Sequence, residues 1–328
     1  MEESISRVLI ETVVRKAIRD MKESPERSAR NLVDMALSFS KGRFQQTFFT
    51  AAQNMLQNSH SPYYALIADI ARNVDSERLL RFGMALGYDS CTLGADKIRS
   101  LEEERGYNIP WMLSLELDPE RDYADIISQG KELGISSWML YCPDGQQGYD
   151  LARRFPEQAF GLFCYDMDQW DSLLDQPCPE NLMLAFPCRE EAQGICRRAR
   201  EQGLLYSVMK IYGWWELPSV EDGTVFSLAE RLGGVFTMLT SVPGLPEELS
   251  ARAHEVLVKA RTEQQYQTIP WETVYDCGMV DSIISQGQCS AGFDREGRLL
   301  SMYETVSPES ISLFKMPLSE IFRRAFPK

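Results

Sequence analysis

The sequence predicts an α/β protein in which parallel strands alternate with helices, and three observations predict it. First, six near-continuous apolar runs recur from residue 108 onward: "IPWMLSLEL" (109–117), "SSWMLYC" (136–142), "AFGLFC" (159–164), "NLMLAFPC" (181–188), "LLYSVMKIY" (204–212) and "GGVFTMLTSV" (233–242). Second, helical patterns such as "DYADIISQGKELG" and "REEAQGICRRAREQG" separate them, the pattern of parallel strands covered on both faces. Third, six units are too few to close an eight-stranded barrel. An open partial barrel or a doubly wound sheet is therefore expected.

Residues 1–105 read as all-helical. "SPERSARNLVDMALSFS" opens with Ser24 as N-cap and Pro25 at the first helical position, with Glu26 behind it. In "GRFQQTFFTAAQNMLQN", Phe44, Phe48, Ala52 and Met55 share one stripe at helical spacing; such stripes are ordinarily core. "SPYYALIADIARNVDSERLLRFGMALGY" predicts two more short helices, the second capped by Asp75. Residues 106–260 hold the strand–helix units. Residues 261–328 form a C-terminal extension: "QCSAGFDREGRLLSMYE" reads as a β-hairpin turning at "DREG", and "PLSEIFRRAF" as a closing helix. A long amphipathic helix, "LPEELSARAHEVLVKARTEQQY", leads into it.

Composition narrows the function. A formal charge of −14 argues against a phosphate-neutralising surface, so neither nucleic acid nor an anionic membrane is an expected partner. No run approaches the roughly 20 apolar residues of a membrane span, and "MEESISRVLIETVVRKAIRDMKE" lacks the apolar core of a signal peptide. A cytoplasmic location is expected. The eight scattered cysteines suggest reduced thiols rather than a disulfide framework.

"LGADKIRSLEEERGYNIPWMLSLELDP" and "DIISQGKELGI" resemble a bacterial and archaeal group of radical S-adenosylmethionine proteins with a SPASM-like C-terminal extension. "SPYYALIADIARNVDSERLLRFG" is similar to that group's N-terminal helices, "TSVPG" (240–244) to the end of its sixth strand and "QCSAGFDREGRLLSM" to its terminal hairpin. The resemblance covers nearly the whole chain in the correct order. It implies a partial (β/α)6 barrel, with a [4Fe–4S] cluster and S-adenosylmethionine as the family's cofactors.

The residues that carry that chemistry are missing. The family's Cys-x3-Cys-x2-Cys triad belongs after Asp118-Pro119, where this chain runs directly into "ERDYADII". Three thiolates are needed to leave one iron open for the cofactor, and Asp118 or Asp122 cannot replace three soft ligands. The family's Gly-Gly-Glu is replaced by Cys142-Pro143-Asp144-Gly145. In the hairpin, Cys289 keeps the first cysteine position while Met302 stands at the second. The resemblance thus implies a degenerate member without cofactor: a non-catalytic binding subunit that pairs with a catalytic homologue or a peptide or protein client.

Ligands of parallel sheets gather at the carboxyl ends of the strands. That rim offers Glu116, Asp118, Asp144, Asp166, Lys210 and Tyr212, with Cys142, Cys164 and Cys188 closing the second, third and fourth strands. Strands lie about 4.8 Å apart, so three sulfurs at one level can converge. This supports a second reading, an iron–sulfur or S-adenosylmethionine enzyme with ligands recruited from these three cysteines, or with Cys289 holding an auxiliary centre. The plainer account is small apolar packing. A third reading is a small-molecule binder at the rim. Trp214 and Trp215, just past the fifth strand, suit stacking on a ligand or anchoring a partner. His60 and His254 read as surface histidines.

Overall fold

A computed structural model describes residues 2–40, 42–164, 166–242, 244–285, 287, 289–301 and 311–328. Before the first strand come α1 (Glu2–Met21), α2 (Pro25–Phe39), α3 (Arg43–Met55), α4 (Pro62–Asn73) and α5 (Ser76–Gly83), then a π-helical stretch, Met84–Gly94, and α6 (Ala95–Arg105). Strand–helix alternation follows: β1 (Met112–Glu116), α7 (Ala124–Leu133), β2 (Ser137–Cys142), α8 (Gln146–Arg154), β3 (Ala159–Cys164), α9 (Met167–Leu174) and β4 (Leu182–Pro187). It continues through α10 (Gln193–Glu201), β5 (Tyr206–Tyr212), α11 (Leu217–Glu221), α12 (Thr224–Leu232), β6 (Phe236–Ser241) and α13 (Glu247–Thr262). The chain ends with β7 (Ile269–Glu272), α14 (Tyr275–Ile284), β8 (Ala291–Phe293), β9 (Leu299–Ser301) and α15 (Leu318–Ala325). This order of elements fits a partial barrel in general terms.

Two compact units divide the chain: Met1–Met84 with Phe186–Glu272, and Ala85–Ala185 with Thr273–Lys328. In the first, β5, β6 and β7 lie side by side, all parallel. Its helices are joined to its strand region by polar ties. The Asp69 carboxylate receives the Arg200 guanidinium, Tyr63 Oη donates to the Arg261 carbonyl at 3.2 Å, and Gln264 Nε2 donates to the Met55 carbonyl at 3.0 Å. Ser24 precedes α2 at the N-cap position, with Pro25 in the first turn, but its side chain makes no capping hydrogen bond; the Asp75 carboxylate caps α5 by accepting from the Glu77 and Arg78 amides. The stripe expected along α3 is only partly core: Phe44 is buried, but Phe48 stacks on it from outside and is 55% exposed.

In the second unit, β1 to β4 pair in sequence order and all parallel. The sequence did not announce what lies on the other side of β1. There β8 pairs parallel to it, Leu113 opposite Ala291 and Leu115 opposite Phe293, and β9 returns antiparallel as the predicted hairpin. Its turn is closed by the Gly297 amide on the Asp294 carbonyl at 2.9 Å. Gly297 adopts φ +76°, which a side chain resists. β2 and β3 are buried almost throughout, as expected of strands covered on both faces. Trp138 is 1% exposed, its indole N–H donating to Gln158 Oε1 at 2.9 Å.

Candidate functional site

In the second unit, successive side chains on a strand face opposite ways, and burial shows which way each rim residue points. On β1, Leu113 and Leu115 are fully buried while Ser114 and Glu116 are partly open. The register continues that face from Glu116 to half-buried Tyr141 and on to Phe163, which is buried and closes it; the two rings meet edge-on, centroids 6.0 Å apart. Cys142 and Cys164, each one residue further on, are register partners on the opposite face with Leu140 and Leu162, and are 1% and 0% exposed. The Cys164 thiol donates to the Pro143 and Asp166 carbonyls at 3.1 and 3.4 Å. Burial pushes its pKa up to about 11 and that of Cys142 further still, so in this environment the thiol form of both is favoured.

The acids of this rim are mostly committed to local structure. Asp144 accepts from the Gln146 amide at 3.2 Å. Asp166 caps α9 through the Asp168 amide at 3.0 Å. Glu116 differs: burial raises its carboxyl pKa, Asp294 pushes it the same way, and Arg295 pulls against both. Because β8 runs parallel to β1, its following turn, Asp294–Gly297, arrives at the same rim. Arg295 therefore acts on Glu116 and on Cys142. Sequence reasoning missed this arginine, since three residues of β8 carry no signal of their partner strand.

Between β1 and α7 the connection is a closed turn. The Asp118 amide donates to Tyr123 Oη at 3.0 Å, and that hydroxyl donates to the Glu116 carbonyl at 3.4 Å. Asp118 accepts from the Glu120 amide at 3.0 Å and pairs with Arg121 at 3.2 Å. Asp122 caps Ala124 at 3.0 Å and pairs with Arg154 at 2.9 Å. Gln147 donates to the Asp118 and Arg121 carbonyls, while the Arg121 guanidinium lies 4.0 Å from the Phe314 ring centroid. The donors here are carboxylates already paired, a phenol and a guanidinium. That set does not fit a [4Fe–4S] cluster, which takes thiolates.

The remaining candidates of the rim belong to the first unit. The Lys210 ammonium sits 3.0 Å from the Glu216 carboxylate of the following loop. Tyr212 is fully buried and donates to Glu272 Oε1 at 3.3 Å. Cys188 is 3% exposed; burial takes its thiol to about 12, against the pull of Lys210. Trp214 and Trp215 project from the same end of β5, 68% and 55% exposed and edge-to-face at 5.8 Å.

Cys289 lies just before β8, at the opposite end of the strands from Cys142 and Cys164, and is fully buried. Met302 and Pro243 lie outside the described residues. His60 is exposed and His254, on α13, half-buried. Among the described residues no group of three or more His, Cys, Asp or Glu side chains is gathered to hold a metal ion, and no helix is long and apolar enough to cross a membrane. No protein-family model matches the chain, and no curated protein matches it significantly.

Proposed function

We propose that this chain is a degenerate relative of radical S-adenosylmethionine proteins that serves as a non-catalytic binding subunit. Its occupant is a catalytic homologue or a peptide or protein client. The observation that carries this reading is the Leu117–Tyr123 connection. Where the family needs three thiolates, the turn satisfies its polar groups with Tyr123, Gln147 and Arg154 of its own chain. A fold-level analogy supplies the rest of the argument. The exposed Trp214–Trp215 pair gives the subunit its contact: paired indoles on a loop contribute large apolar area at low entropic cost.

The test is retention of a partner by the tagged full chain from its native host. Capture of a cluster-bearing homologue or of one defined peptide or protein, reduced at least tenfold in W214A/W215A, supports the reading. Turnover of S-adenosylmethionine by the chain alone overturns it.

A further inference from the structure

The most unusual group outside the rim is a pair of buried acids at the base of the second unit. Glu102 of α6 is fully buried. Its carboxylate accepts from the Ile109 amide at 2.8 Å and from the Ser285 hydroxyl, and pairs with the Lys328 ammonium at 3.3 Å. Asp281 of α14, 1% exposed, accepts from the Trp111 amide at 2.9 Å, which ties α14 to the segment leading into β1. Its second oxygen, Oδ2, is buried without a hydrogen-bond partner. Cys289, fully buried, places its sulfur 3.5 Å from Ser285 Oγ.

The charges do not balance if both acids ionise. Glu102 is satisfied by two donors and one cation. Asp281 faces Glu102 from α6, the Trp111 amide ahead of β1, and Cys289 and Ser290 from the segment before β8; Lys328, the cation here, is already engaged by Glu102. An ionised carboxylate with one orphaned oxygen in such surroundings is strongly disfavoured, whereas a carboxylic acid is not.

We propose that Asp281 is a proton-held latch: its carboxyl is kept neutral between α14 and the start of β1, and loss of that proton loosens α14 and the β8–β9 hairpin that follows it. Burial, with Glu102 adding to it and the Trp111 amide and Ser290 hydroxyl pulling the other way, pushes this carboxyl up to about 8 from an ordinary 3.8. The folded chain therefore holds a proton that the unfolded chain has released. The stabilisation is complete below 3.8, falls as pH rises and is exhausted above about 8. The same hairpin carries Arg295 to the rim beside Glu116, so the latch links proton concentration to the geometry of that rim.

The test compares folding of the full chain with D281N, an uncharged mimic, from pH 5 to 9. The ratio of their folding constants is expected to fall by up to tenfold per pH unit up to about 8, and α14 amides of the unsubstituted chain to exchange faster than those of D281N at pH 9. Parallel profiles overturn the latch. Should D281N not fold, E102Q decides: removing the neighbouring charge shifts the midpoint to lower pH, and an unmoved midpoint overturns the proposal.

Discussion

Tyr123→Phe removes a single oxygen from the β1–α7 connection and measures how firmly that turn is built. The hydroxyl accepts from the Asp118 amide at 3.0 Å and donates weakly to the Glu116 carbonyl at 3.4 Å. The ring is 1% exposed and packs edge-on to Phe314 at 5.9 Å; phenylalanine keeps that contact and leaves no large cavity. What is lost is the partner of one amide. Leaving a buried donor unsatisfied costs about 1–3 kcal/mol. The Asp118 side chain is 29% exposed, so water reaches the turn and the expected loss is about 1–2 kcal/mol. In urea denaturation the midpoint should fall with the slope unchanged. Arg154→Ala is the control, because it breaks an exposed pair and should cost less than about 1 kcal/mol. A loss under about 0.5 kcal/mol for Tyr123→Phe, the size of an ordinary surface change, refutes the reasoning, since the turn would then be held by something else.

Three further outcomes follow from the same structure. Asp75→Ala removes the acceptor of the Glu77 and Arg78 amides at 2.9 and 3.1 Å and should destabilise the chain by about 1 kcal/mol; an unchanged melting temperature contradicts this. An aromatic disulfide reagent at pH 7 should label the half-buried Cys178 well before Cys142, Cys164, Cys188 and Cys289, which are all buried with thiol pKa values raised by burial; rapid native-state labelling of Cys164 contradicts it. W214A/W215A should leave unfolding free energy within about 0.5 kcal/mol of the unsubstituted chain while reducing partner retention, and a large stability loss would mean that the indoles serve the fold.

The parallel strands are legible in the sequence because both of their faces are covered, which forces runs such as "AFGLFC" into continuous apolarity. The Asp75 cap and the "DREG" turn are legible for another reason: their chemistry is local. β7 is not, because Pro270 argues against a strand; it is tolerated since β7 ends the β5–β6–β7 set. β8 is three residues long, and its parallel pairing with β1 is decided by tertiary contacts, so Arg295 at the rim is invisible beforehand. The sequence places Cys142 and Cys164 at adjacent strand ends, and the register agrees. Alternation puts them on the face of Leu140 and Leu162, and only the register of β1 against β2, Glu116 opposite Tyr141, shows that this is not the face of Glu116. Phe48 illustrates the converse: helical spacing assigns it to a stripe, but only packing decides how wide the covered face is.

Iron and sulfide content of the full chain, purified and reconstituted without oxygen and assayed for S-adenosylmethionine cleavage, tests the central claim most directly. The account predicts colourless protein with no stoichiometric iron and no cleavage, because the β1–α7 turn, where the family carries its three cluster thiolates, has no thiol. A brown protein holding a stoichiometric cluster and cleaving the cofactor unaided would contradict it.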